Sequence, residues 1–118
     1  MLTKEQKIEL YEKALLNFME EDPNRHIKFL CNTIGEVAKE LGHLEERVWM
    51  SSSSLTMWFK TILPEFYACK PHGVQADHPW WPCGNHDDMK QRAYFKTFRA
   101  GVLKQIIKDL HNEDTIQN

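Results

Sequence analysis

Four of the five prolines in this chain fall within 23 residues, Pro64 to His86, PEFYACKPHGVQADHPWWPCGNH. Proline lacks a backbone N–H and clashes with the preceding turn, so no long helix and no central strand can run through such a stretch. Outside it only Pro23 interrupts the sequence. The residues on either side are therefore free to be helical, and their apolar spacing says that they are.

Thr3 with Gln6 three residues on forms a capping box that opens a first helix. Ile8, Tyr11, Leu15 and Phe18 follow at helical spacing, with Leu10 and Ala14 beside them, and the helix should end between Met19 and Glu21. Asp22-Pro23 restarts a second helix, Asp22 as cap and Pro23 in the first turn. Its core stripe is Ile27, Leu30, Cys31, Ile34, Ala38 and Leu41, and Gly42 suits the left-handed stop. The stretch His43 to Met50 reads equally as a short helix through Leu44 and Val48 or as a loop. Serines 51–54 then cap a helix whose apolar face is Leu55, Trp58, Phe59, Ile62 and Leu63. Pro64 either stops that helix or begins one more turn through Phe66 and Tyr67. The last helix opens near Asp87 and Asp88 and carries Phe95, Phe98, Val102, Leu103, Ile106, Ile107 and Leu110 on its core side. Its outer face holds Lys90, Arg92, Lys96, Arg99, Lys104 and Lys108, and a polar tail HNEDTIQN frays beyond it. No strand pair and no internal repeat is visible. The expectation is an all-α single domain over residues 1–118. It has four to five helices and a Pro- and Trp-rich irregular segment, 64–86, before a long C-terminal helix.

A length of 118 residues suits one domain with a modest core. A formal net charge of -2 gives no field that would draw long nucleic acid or a membrane surface. No apolar run is long enough to span a bilayer, and MLTKEQKIEL does not have the pattern of a secretory signal. Three cysteines, Cys31, Cys69 and Cys83, are an odd number and fit reduced thiols in a cytoplasm better than a disulfide framework.

Leu63-Pro64-Glu65-Phe66, then Lys70-Pro71, then Trp80-Trp81, before an amphipathic helix bearing Arg92, resembles a pattern in small proteins of tailed bacteriophages. There a FPEF turn, a KP pair and a WW pair precede a C-terminal amphipathic helix, and the likeness covers the C-terminal half of this chain. Leu63 stands where that pattern has Phe, and Cys69, His72, Cys83 and His86 are additions to it. The resemblance implies no enzymatic activity. It implies an accessory role in a host cell, such as inhibition or host takeover.

The irregular segment supports two chemistries. Trp80 and Trp81 offer flat faces for a base, and Lys70, Arg92, Lys96 and Arg99 offer charge-assisted bonds to phosphate. Arg92, Lys96 and Arg99 share one helical face. A solvated basic face and a pair of core-plugging indoles would look the same in sequence. The alternative is zinc. Cys69-Lys70-Pro71-His72 and Cys83-Gly84-Asn85-His86 are two Cys-x2-His pairs ten residues apart, and a tetrahedral structural site takes two such chelating pairs. His78 is a spare ligand. The competing reading is of polar loop residues with Cys69 packed as a small hydrophobe.

A third reading is hydrolysis. Glu36 and Glu40 on the second helix, with Glu45 and Glu46 after it, resemble the acidic sets with which all-α nucleoside-triphosphate pyrophosphohydrolases hold magnesium. The spacing here is four rather than three, no second E-x2-D follows, and a solvated helix face accounts for the same residues. His86-Asp87 likewise resembles the His-Asp phosphohydrolases without their other ligands. A fourth reading is a protein-binding or self-association surface made by Trp49, Met50, Met57 and Trp58 around the serines, unless Trp58 belongs to the core. The expected function is therefore a binding protein without catalytic turnover and with no cofactor. It would mask a host protein or sequester a small anionic nucleotide at Lys70, Trp80, Trp81 and Arg92. The alternative is a zinc-stabilised interaction module, and the third choice is a pyrophosphohydrolase-like enzyme.

Overall fold

The computed structural model describes residues 1–20, 30–68 and 100–113. The fold is all-α, and no strand occurs among the described residues. Helix α1 spans Lys4–Met19 and α2 spans Leu30–Glu40. Helix α3 is one turn, Glu46–Trp49, α4 spans Ser52–Ile62, and α5 is again one turn, Pro64–Tyr67. A last helical segment, α6, is described over 100–113. Both stretches that the sequence leaves ambiguous, 43–50 and 64–67, thus contain a single helical turn.

The ends of these helices are set by local chemistry. At the start of α1 the Gln6 N–H donates to Thr3 Oγ1 at 3.1 Å, and the Thr3 N–H donates to Gln6 Oε1 at 2.8 Å. Two N–H groups that the helix cannot pair internally are thereby satisfied. Helix α2 stops where Gly42 turns left-handed at φ 80. The Gly42 N–H reaches Lys39 O and the His43 N–H reaches Ala38 O, at 3.1 and 2.8 Å, closing the helix with the paired bonds of a Schellman end. Ser51 Oγ accepts from the Ser54 N–H and starts α4. Leu63, at φ -124 and ψ 60, is pushed out of the helical region by the proline that follows, and Pro64 then sits at the first position of α5. At the C-terminal end, residues 111–113 continue α6 where the sequence suggested fraying.

One apolar cluster holds the elements together. From α1 it takes Leu10, Tyr11, Ala14 and Phe18, so the buried seam runs through 10, 14 and 18 while Ile8 and Leu15 lie at its edge. Ile8 instead borders an acidic outer groove with Glu5, Glu9 and Glu12. From α2 the cluster takes Ile34, Val37 and Ala38, with Cys31 and Leu41 partly buried against it. Phe59, Leu63 and Phe66 come from α4 and α5, and Ala100, Leu103, Ile106 and Leu110 from α6. The Phe59 ring lies 5.8 Å from Phe66 and 5.1 Å, edge-on, from Trp58. Each such fully buried large side chain contributes about 1.5–3 kcal/mol relative to exposure.

Gly35 is where α2 meets α3. A Cβ at that position would run into Trp49 Cζ3 and lie 2.8 Å from Cε3, so the indole rests directly on the helix backbone. Lys39 Nζ covers the same ring, 5.5 Å from its centroid. Alanine is favoured over glycine in a helix by about 0.5–1 kcal/mol, but overpacking costs about 1–3 kcal/mol. Gly35→Ala is therefore expected to destabilise the protein, and in a Trp49→Ala background the same change should stabilise it. Urea unfolding of the four variants reads the sign in each background. The same sign in both would mean that the indole is not what keeps position 35 bare.

Candidate functional site

Helix α5 is too short to be stable alone, so its position depends on packing. Phe66 is its buried side chain and fixes the turn against Phe59. The neighbouring residue, Glu65, is thereby turned toward α1, where Lys7 and Tyr11 stand one turn apart on the same face. The wholly buried Tyr11 donates its hydroxyl to Glu65 Oε1 at 2.6 Å. Lys7 Nζ lies 3.3 Å from Oε2. The short O–H···O distance is that of a charge-assisted bond. With side-chain exposures of 15% for Lys7 and 25% for Glu65, the pair sits at the edge of the core rather than in open solvent.

Beyond Glu65 a cleft of about 290 Å³ opens between α5 and α6. Val102, Ile106 and Leu110, one turn apart along α6, make its apolar floor. Gln105, Asp109 and Glu113 run parallel to them along the rim, with the Gln105 amide donating to Asp109 Oδ1 at 2.9 Å. The sequence shows the floor as part of the α6 core stripe. The acidic line beside it was missed because the basic outer face, Lys104 and Lys108, dominates the charge pattern. Its signal is the Gln105, Asp109, Glu113 repeat at intervals of four, one position after Lys104 and Lys108 for the first two.

A second surface lies on α3 and α4. Val48, Ser54, Met57, Trp58, Thr61 and Ile62 line a shallow groove of about 350 Å³. Met57 is 59% exposed, and Met50, at the end of α3, is 76% exposed. Trp58 is half-buried: its indole N–H donates to the His43 carbonyl at 3.3 Å while its ring edge meets Phe59. Trp49 is turned onto Gly35. Of the four residues expected to form an apolar surface, the two methionines are open and the two indoles are half-buried.

The residues expected to bind an anion, Lys70, Trp80, Trp81, Arg92, Lys96 and Arg99, lie outside the described residues. So do the expected zinc ligands Cys69, His72, Cys83 and His86, the spare ligand His78, and Asp22-Pro23. Among the acidic residues considered for hydrolysis, Glu40 pairs with Lys13 at 3.2 Å, Glu46 with Lys39 at 3.8 Å and Glu45 with Arg47 at 2.6 Å. The Glu45 carboxylate also holds the exposed Arg47 guanidinium above its ordinary pKa through the hydrogen bond and its charge. Among the described residues no group of three or more His, Cys, Asp or Glu side chains is placed to hold a metal ion. No helix among them is long and apolar enough to cross a membrane.

No protein family, no curated protein and no solved structure matches this chain.

Proposed function

We propose that this chain is a non-catalytic binding protein that occludes a partner protein stoichiometrically, as a bacteriophage accessory factor working in the host cytoplasm. The observation that carries this reading is the α3–α4 surface, where Met57 stands open on a groove lined by Trp58 and Met50 is exposed at the end of α3. Methionine side chains are flexible and polarisable and adapt to a partner's shape. Exposed apolar side chains grouped around a groove with a polar margin, here Ser54 and Thr61, are typical of interaction sites. The resemblance of the 63–92 pattern to small phage proteins supports the accessory role. Nucleotide sequestration by Lys70, Trp80, Trp81 and Arg92 is the competing form of binding, and a ligand-dependent rise in melting temperature would favour it. The zinc module at Cys69, His72, Cys83 and His86 requires one zinc per chain in purified protein and loss of structure on chelation.

The deciding experiment compares tagged wild-type protein with a Met50→Glu/Met57→Glu variant in a bacterial lysate, with helicity checked by circular dichroism. Both positions are solvent-facing, so the variant should fold. The expected result is a protein captured near one-to-one by wild type and reduced about tenfold or more by the variant, the loss of about 1.4 kcal/mol or more of binding energy. Equal capture by both, or capture of nothing by wild type, overturns the assignment of this surface.

A further inference from the structure

We infer that α3 is a latch, a one-turn segment that opens independently of the rest of the fold and whose closed state, fastened by Trp49 on Gly35, assembles the α3–α4 surface. The inference rests on the reading of that surface as a docking site and names what regulates it. The surface is made of two pieces. Met57, Trp58, Thr61 and Ile62 belong to α4, whereas Val48 belongs to α3 and Met50 ends it. The α4 piece is anchored through Phe59, which is buried and packs on Phe66. The α3 piece is held more lightly. A four-residue helix is not stable alone. Helix α3 contains no buried residue, and its N-cap, Glu45, makes no side-chain capping bond. The N–H groups of Val48, Trp49, Met50 and Ser51 bond to the carbonyls of Glu45, Glu46 and Val48, so these bonds stay within 45–51 and tie the turn to nothing else.

Side chains make the tie to α2. The Trp49 ring is seated on the bare backbone of Gly35, and Lys39 Nζ covers the ring and lies 3.8 Å from Glu46. The ion pair is at the surface and contributes little. The indole seat is therefore the fastening. The segment also has natural bounds. Gly42 turns left-handed and Leu44 is buried on one side, and Ser51 caps α4 on the other. Residues 45–50 can lift while α2 and α4 keep their places. Segments with few buried contacts open at a lower free energy than the core. Opening takes Val48 and Met50 away from Met57 and leaves the groove with its α4 wall alone. A partner that touches both pieces draws the latch closed.

Amide hydrogen exchange of the intact protein, read by NMR between zero and about 1 M urea, tests the latch. The amides of Val48, Trp49, Met50 and Ser51 should exchange about 100-fold or more faster than those of Leu10, Tyr11, Ala14 and Phe18, and without the urea dependence of that core set. They should still exchange about tenfold or more slowly than in an unstructured peptide. Trp49→Ala should speed the four amides about tenfold or more. Gly35→Ala should do the same alone and add nothing in the Trp49→Ala background. In the lysate capture, Gly35→Ala/Trp49→Ala should stay about tenfold or more below wild type even though its α2 no longer carries a clash. Core-like rates with the core's urea dependence would mean that the turn moves only with the whole fold, and no protection at all would mean that it is never closed. Either result overturns the latch, as do four amides indifferent to Trp49→Ala or full capture by the double variant. The exchange measurement uses no partner, so failure of the Met50→Glu/Met57→Glu experiment overturns the docking reading separately.

Discussion

Phe66→Ala is expected to lower the unfolding free energy by about 3–5 kcal/mol, a large share of the 5–15 kcal/mol typical of a domain. Phe66 is fully buried, packs on Phe59 and is the buried side chain of α5. Removing the ring loses both its transfer energy and its contacts, and leaves a cavity that a four-residue helix cannot close by shifting as a unit. With the turn released, Glu65 loses the packing that turns it toward α1 and keeps its polar contacts to Tyr11 and Lys7 without that support. Urea unfolding followed by circular dichroism gives the energy, and Phe66→Leu should cost less than half as much because most of the volume is kept. A loss below about 1 kcal/mol for Phe66→Ala would show that α5 is not pinned through this side chain.

Glu65→Ala carries the second-largest effect, about 2–3 kcal/mol. The substitution removes the carboxylate acceptor of a fully buried tyrosine and the counter-charge of a mostly covered lysine. Tyr11→Phe, which takes away the donor and keeps the ring, should cost about 1–1.5 kcal/mol. A double-mutant cycle separates the pair from the rest. If the 2.6 Å bond is what holds the turn, the two losses are coupled by at least about 1 kcal/mol. Strict additivity would mean that Glu65 is held mainly by Lys7. The cycle is read in denaturant at constant salt, because the lysine contact weakens with ionic strength while the hydroxyl bond does not.

The helical scaffold was legible in the sequence because its signals are local. Thr3 and Gln6 announce the start of α1, Gly42 the end of α2, and the spacing of Phe59, Leu63 and Phe66 the buried line of α4 and α5. Side-chain choice within a stripe was harder to read. Leu10 and Ala14 are fully buried and Ile8 and Leu15 are not, because the rotation of α1 is set by what packs on it rather than by its own pattern. Trp49 shows the same limit from the other direction. A tryptophan beside a serine run reads as exposed or core, and only its seat on Gly35, fourteen residues earlier, decides it. The floor of the α5–α6 cleft was legible as the α6 core stripe, but the cleft itself was not. Glu65 looks like any helix-start carboxylate, and Asp109 and Glu113 look like a solvated face; their meeting depends on two elements far apart in sequence. The anion and zinc readings were argued from residues in 69–99, so they stand on composition and spacing alone.

The Tyr11–Glu65 and Lys7–Glu65 contacts join residues 54 and 58 positions apart. Helices usually form quickly because their contacts are between near neighbours, but closing a loop of this size carries an entropic penalty that is not recovered until the far ends meet. For this chain the helices can appear early, while docking of the Pro64 turn onto the first helix waits for half the molecule to be gathered. Its folding speed should therefore be governed by that long-range encounter rather than by helix growth.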